Sequence, residues 1–478
     1  MATAVGQLAT EVAQTNPWWR GGTWARDWVA TDPDLKPANA TDLGYVSGCL
    51  NDLELGRLYL LRGPRRVGKT VSVKQTIEGL LADGVPPRSV VRVAADGWAT
   101  KDLRTLTSLP GLPRLPQGTR RWWFLDEITA VEGDWAGQVK WLRDNDPEFG
   151  QDTVVLTGSS ADQLTKAAGV LAGRRGHGEG QADRTLLPIG FRGFAQLMEP
   201  DLPRDVSLGL TELRGPHADD AFDALSPWLD VLTKTWDQYL HYGGFPVAVA
   251  AAVGGRPVPA SFLDDIFNVI FRDAFASSQL SAGTTASLME RLMESMASPL
   301  NVNSVAEDVG ITGERMRRHL EYLRDAYLIW RCPQKAPKTW TPREKSQEKV
   351  YAVDPLVARL AHLRNPQRAD IDPTVLTEMQ IGMAVHRHAY KTGTPWADET
   401  FLFHVRTPAR KEIDFVSDRL DGVALEGKYT DSGKWVGEAA TVNASEWDGI
   451  LVTRSVLDTT SKAAWAVPAS FLAYALDS

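Results

Sequence analysis

The octapeptide Gly63-Pro64-Arg65-Arg66-Val67-Gly68-Lys69-Thr70 restricts what this chain can fold into more than any other stretch. It has the form G-x-x-x-x-G-K-T, follows an apolar run and precedes a helical pattern opening at Val71. Its glycines let successive backbone N–H groups turn toward one point, and the following helix adds its positive end, so the loop suits a phosphate. In that arrangement Lys69 reaches the β- and γ-phosphates of a nucleotide and Thr70 holds Mg²⁺. From Arg57 to Ile189, β-branched and aromatic runs alternate with helical stretches, the pattern of a parallel sheet covered by helices. The spacing predicts strands at Arg57–Leu61, Ser89–Ala94, Arg121–Leu125, Thr153–Thr157 and Arg184–Pro188, joined in one sheet.

Two of those strands end in reactive groups. Arg121–Leu125 runs straight into Asp126 and Glu127. Asp126 can orient Mg²⁺ and Glu127 can polarise an attacking water. Acids also favour the first turn of a helix, so the pair could serve only to start one. Thr153–Thr157 leads into Gly158, Ser159 and Ser160; either serine can donate to a γ-phosphate or to the water, and either can cap a helix. Arg174 and Arg175 are candidates for an arginine supplied to a neighbouring subunit's nucleotide, or for plain surface charge. Arg65 and Arg66 can touch phosphate. Trp18, Trp19, Trp24 and Trp28 can stack on adenine, although such residues more often fill cores.

Fifty-two Lys+Arg against 60 Asp+Glu give a formal charge of −8, and 43% of residues are hydrophobic. That composition excludes disorder and collagen-like structure and argues against a whole-surface polyanion binder. Cys49 and Cys332 are far apart and predict neither a disulfide framework nor a zinc site. Met1–Thr15 lacks a basic stretch followed by an apolar run, and the longest small-apolar run, Phe245–Val253, is too short to span a membrane. A cytoplasmic protein without a membrane partner is expected.

The parts expected along the chain are a phosphate-loop core with its lead-in (1–200), a helical subdomain (201–298), a helix-turn-helix unit (299–349) and a mixed α/β region (350–478). Amphipathic segments at Leu225–Tyr239 and Phe262–Phe275 flank the Gly243-Gly244-Phe245-Pro246 turn. Ser304 to Glu307 reads as a capping box opening a short helix, Thr312 can cap a second, and Met316, Leu320 and Leu323 share a face of it. An apolar run, Ala326–Trp330, follows. Gly313–Val350 holds ten Lys/Arg and five acids, an excess of five positive charges on a negative chain. Contact with DNA phosphates is open there, as is a pure packing role. Linkers are expected at Arg331–Lys349 and Gly254–Pro259. The last region has a helix pattern at Val375–Ala389 and strand patterns at Phe401–Val405, Glu412–Ser417, Val423–Lys428 and Gly449–Thr453.

Those strands carry a second constellation. Asp414 on one strand and Glu426 with Lys428 on the next can face the same side, because alternate residues of a strand do. Two carboxylates at one spot call for a shared cation, Mg²⁺ or Mn²⁺, with Glu378 on the preceding helix completing its shell. Lys428 would then orient a water near a phosphodiester. A solvated hairpin face is the plainer reading.

In order, Gly63–Thr70, Leu125-Asp126-Glu127, Thr157-Gly158-Ser159-Ser160, Leu187–Phe194 (LPIGFRGF), Tyr242–Pro246 (YGGFP) and the helix-turn-helix end Leu323–Ile329 form a recognisable set. From about Cys49 to Thr453 the chain resembles prokaryotic AAA-type ATPases that carry a C-terminal domain of unknown function related to PD-(D/E)XK nucleases. The resemblance implies an α/β fold of the P-loop NTPase class (AAA/ASCE type) with sheet order 5-1-4-3-2, a helical subdomain, a winged-helix unit and a nuclease-like α/β domain. It implies ATP rather than GTP, with ATP/ADP and Mg²⁺ as ligands, and a homo-oligomer, a hexamer being one candidate. The expected function is a Mg²⁺-dependent ATPase driving conformational change in an oligomer near DNA. The alternatives are an ATP-gated metal-dependent nuclease using Glu378, Asp414, Glu426 and Lys428, and a non-catalytic scaffold switched by nucleotide.

Overall fold

The computed structural model describes residues 2–40, 43–178, 181–268, 281–391, 400–407, 411–431 and 433–477. They fall into two compact units, Met1–Leu186 and Leu187–Ser478. In the first, strands β1 (Leu58–Arg62), β2 (Val90–Ala94), β3 (Trp122–Asp126), β4 (Thr153–Thr157) and β5 (Asp183–Thr185) form one parallel sheet in the order β2-β3-β4-β1-β5. Read from the other edge this is the expected order, with strand bounds moved slightly. Leu58 and Leu60 enter one hydrophobic cluster while Tyr59 and Leu61 enter another, so both faces of β1 are packed and the strand shows no polar alternation.

The lead-in covers the exposed edge of β2. The Asn16 side chain accepts from Arg92 N at 2.7 Å and donates to Arg92 O at 2.6 Å, while the Trp18 and Trp19 indoles donate to Val90 O at 2.9 and 2.8 Å. Side chains thus stand in for a missing neighbour strand. The Trp18 and Trp28 rings lie 4.9 Å apart and both are buried, so these two belong to the core and not to a base-stacking surface. Trp24 remains exposed, with the Arg20 guanidinium over its ring.

The second unit begins with helices Phe191–Met198, Pro216–Leu225, Leu229–Tyr242, Pro246–Val253 and Ala282–Glu294. The predicted Phe262–Phe275 segment lies partly outside the described residues. The helix-turn-helix is formed by Val302–Asp308 and Gly313–Asp325. Its first helix is capped one turn earlier than the Ser304 box implies. Asn301 accepts from Ser304 N at 3.2 Å, which leaves Ser304 inside the first turn. Thr312 caps the second helix as expected, accepting from Arg315 N at 3.3 Å, and Met316, Leu320 and Leu323 are buried. Behind it β6 (Ile329–Cys332) pairs antiparallel with β7 (Lys349–Ala352), so the expected linker at Arg331–Lys349 is largely the loop of a hairpin.

A second five-stranded sheet follows: β8 (Phe403–Arg406), β9 (Glu412–Val416), β10 (Val423–Gly427), β11 (Asp448–Thr453) and β12 (Trp465–Pro468), in the order β12-β11-β10-β9-β8. Strands β8 to β10 run antiparallel and β10 to β12 parallel, with helix Pro373–Lys391 packed on β10. Strand β12 and the helix Ala469–Leu476 were outside the predicted pattern. Both are buried throughout, so neither shows the alternation that betrays a half-exposed element. Among the described residues no helix is long and apolar enough to cross a membrane.

Candidate functional site

The phosphate loop leaves β1 through a position only glycine can fill. Gly63 has φ +143°, and a Cβ there would stand 2.0 Å from Leu186 O. Gly68, with φ +97°, forms the N-cap of helix Lys69–Ala82. Inside the loop Lys69 Nζ donates to Gly63 O at 3.0 Å and Pro64 O at 2.9 Å. Burial pushes this ammonium down to about 8, although Glu127 and Asp126 pull the other way. The charge is therefore held by neutral carbonyls that a phosphate can replace. Around it Arg65 is half-buried, Arg66 exposed with a left-handed backbone, Val67 buried, and Val71 half-buried in the first helical turn.

Asp126 closes β3 and is buried. Its Oδ2 accepts from Arg92 Nη2 at 2.6 Å, while Oδ1 accepts from Thr157 Oγ1 at 3.0 Å and lies 3.4 Å from Thr70 Oγ1. The parallel register sets Arg92 beside Phe124, so Arg92 and Asp126, two residues further along β3, face the same side. Thr70 and Asp126 bring hard oxygen donors together from helix and strand, which suits Mg²⁺. No motif marks Arg92, and Thr157 stands in the sequence only as the end of its strand, because their link to Asp126 runs through sheet register.

Glu127 has φ +53°, a left-handed conformation that swings its side chain off the strand line. Its Oε2 accepts from Ser159 N at 3.0 Å. Thr129 Oγ1 accepts from Ser159 N at 3.1 Å and Ser160 N at 3.2 Å. Gly158 permits this approach, since a Cβ there would come 2.4 Å from Thr129 Cγ2. Ser159 thus joins the site through its backbone N–H. Ser160 stands at the N-cap of helix Ala161–Val170, yet its hydroxyl makes no cap bond. Arg174 pairs with Asp144 at 3.0 Å and Arg175 with Asp183 at 2.9 Å, so each candidate arginine is held by an acid of its own chain.

The second constellation also converges. The β9–β10 register sets Glu426 opposite Asp414. Asp414 N donates to Glu426 Oε2 at 3.3 Å, Gly427 N to Asp414 Oδ2 at 2.8 Å, and Lys428 Nζ lies 2.7 Å from Glu426 Oε1. Glu378 reaches the same place from its helix. At the centre, however, is Lys349 of β7, which the sequence marks only as part of a basic patch. Its Nζ lies 2.9 Å from Glu378 Oε1, 2.5 Å from Glu412 Oε1 and 2.9 Å from Asp414 Oδ1. Burial opposes the Lys349 charge, but the three carboxylates outweigh it and hold its pKa above the usual lysine value. Burial, reinforced by Asp414, pushes Glu378 up to about 8 and Glu426 up to about 7. Among the described residues no set of three or more His, Cys, Asp or Glu is arranged to hold a metal. Lys349 Nζ lies between the acids for which a shared Mg²⁺ or Mn²⁺ is expected.

Known proteins resemble the chain in parts. Residues 56–195 match the family model described as an AAA domain, and residues 233–367 match one described as a domain of unknown function (DUF8612). Glu378, Asp414, Glu426 and Lys428 lie outside both matches. No curated protein matches. Similar solved structures include a Walker-type ATPase of Pyrococcus abyssi, 14% identical over 69% of this chain and 95% of that one, with a TM-score of 0.35. The ORC2 protein of Aeropyrum pernix, solved as ADPNP and ADP complexes, is 12% identical over 70% and 93%, with a TM-score of 0.31. A RuvB variant of Thermotoga maritima is 13% identical over 67% and 92%, with a TM-score of 0.26. Overlap with each is low, and the fold assignment rests on sheet order and loop geometry. Together with the family match, these give residues 56–195 the fold of a P-loop NTPase domain similar to the AAA family.

Proposed function

We propose that the chain is a Mg²⁺-dependent ATPase whose turnover drives conformational change in a homo-oligomer acting on or near DNA. The observation that carries this reading is the meeting of Lys69, Thr70, Asp126 and Glu127 at the carboxyl ends of β1 and β3, with Thr70 Oγ1 3.4 Å from Asp126 Oδ1. The triphosphate takes over Lys69 from the Gly63 and Pro64 carbonyls, exchanging neutral acceptors for anionic ones. Thr70 and Asp126 would hold Mg²⁺, which when bound neutralises phosphate charge. Glu127, on leaving the Ser159 N–H, accepts a proton from the attacking water. Its left-handed backbone, a conformation that costs roughly 1–3 kcal/mol, sets the carboxylate for that task.

Arg174 is the better candidate to reach a neighbour's nucleotide, because its pair with Asp144 is exposed and exposed pairs are weak. DNA association is supported by two clefts, of about 980 and 510 Å³, on either side of Arg343–Gln347. Lys335 and Arg406 line one, Arg317 and Arg331 the other, and Arg343 and Lys345 both. In this reading residues 1–200 form the motor, 201–298 the helical subdomain, 299–349 a winged helix touching phosphates, and 350–478 an α/β module.

Phosphate release tests the proposal. Lys69→Ala abolishes turnover, whereas Glu127→Gln still binds ATP and turns over about 10²–10⁴-fold more slowly, the usual share of general-base catalysis. Full turnover by Lys69→Ala would refute it.

A further inference from the structure

We infer that the Lys349 ammonium is the resident cation of the carboxylate cluster of Glu378, Glu412 and Asp414, standing where a divalent metal would sit. The cluster is then an ionic clasp joining β7, helix Pro373–Lys391 and β9, and it performs no metal-dependent phosphodiester cleavage.

An ammonium has three N–H donors and no acceptor, and here each of three carboxylates lies within reach, at 2.9, 2.5 and 2.9 Å. A divalent cation binding these oxygens needs contacts of about 2.0–2.6 Å. It would therefore occupy nearly the same point as Nζ, against a like charge. Lys349 cannot readily withdraw. It lies in β7 opposite Cys332 of β6, and its side chain is 1% exposed. Two residues on, and so on the same face of the strand, Tyr351 donates its hydroxyl to Glu378 Oε1. The remaining ligands are also engaged. Asp414 Oδ2 accepts from Gly427 N, and Glu426 is matched by Lys428 and by Asp414 N. The constellation that spacing predicts is present, but a cation from its own chain already neutralises it. This holds whether or not the phosphate loop hydrolyses ATP.

Mn²⁺ binding to the nucleotide-free full chain, read by electron paramagnetic resonance, tests the inference. Wild type and Asp414→Asn should bind Mn²⁺ identically. Lys349→Met should gain one Mn²⁺ site, bound at least tenfold more tightly than anything wild type shows, and lose it in the double variant Lys349→Met with Asp414→Asn. A folded Lys349→Met that gains no site overturns the equivalence of ammonium and metal. Should Lys349→Met fail to fold, wild-type crystals soaked in Mn²⁺ decide. An anomalous peak among Glu378, Glu412 and Asp414 overturns the inference, and a peak-free cluster supports it.

Discussion

Asp126 and Asp414 invite comparison, because each lies on a buried strand, pairs with a basic residue and belongs to a motif that calls for a metal. They differ in what faces the second carboxylate oxygen. Asp126 gives Oδ2 to Arg92, while Oδ1 faces the hydroxyls of Thr157 and Thr70, groups that can rotate and act as donor or acceptor. Asp414 gives Oδ1 to Lys349 and Oδ2 to the Gly427 N–H, and neither donor can reverse its role. A carboxylate motif becomes a metal site only where lone pairs remain for the metal. Both carboxylates keep lone pairs, and what separates them is the Lys349 ammonium, which stands among Glu378, Glu412 and Asp414 at the point a metal would have to share.

The contrast can be broken most forcefully at Arg92. Arg92→Met leaves Asp126 buried without its cation, and breaking a buried pair in this way destabilises by roughly 3–5 kcal/mol. Mg·ATP should restore part of the loss, as chemical denaturation with and without it will show; no restoration would mean that Asp126 does not face the nucleotide site.

Acid–base behaviour sharpens the same contrast. Glu378 and Glu426 are raised from 4.5 to about 8 and about 7. Their contribution to stability is fully present below pH 4.5 and lost as pH climbs through 7 to 8, by up to about 1.4 kcal/mol per unit for each group. Lys69 is lowered from 10.5 to about 8, so its contribution has the opposite slope and grows from pH 8 to 10.5. Denaturation of Glu378→Gln and Lys69→Met against wild type across pH separates the two, and parallel profiles would contradict the assignment. The Lys69 shift also reaches function. Above pH 8 the lysine must take up a proton to hold phosphate, so ATP affinity falls by up to about tenfold per pH unit in calorimetry. A flat affinity would place the phosphate elsewhere.

The smallest effect belongs to Ser159. Its backbone N–H makes the contact with Glu127, so Ser159→Ala should change turnover by less than about threefold, below the ~1 kcal/mol that a hydrogen bond contributes. A tenfold loss would return the hydroxyl to the site.

Much of this was legible in the linear chain, and the reason is local. Gly63 and Gly68 need positive φ, Lys69 and Thr70 follow within two residues, and buried strands announce themselves as β-branched runs. The same pattern located Glu378, Asp414, Glu426 and Lys428. It passed over Trp465–Pro468 and Ala469–Leu476, where burial on every side erases periodicity. It passed over Asn301 too, because Ser304 offers an equally good cap signal one turn later.

Sequence by itself determined the phosphate loop, the parallel core and the acids that could serve it, since each depends on residues adjacent along the backbone. Only tertiary structure decided which cation each acid meets. Arg92 reaches Asp126 across 34 residues through the pairing of β2 with β3, and Lys349 reaches Asp414 across 65 from a different sheet, and no short spacing encodes either link. In a buried, low-dielectric setting the position of that partner's charge decides whether a second cation can approach the carboxylate.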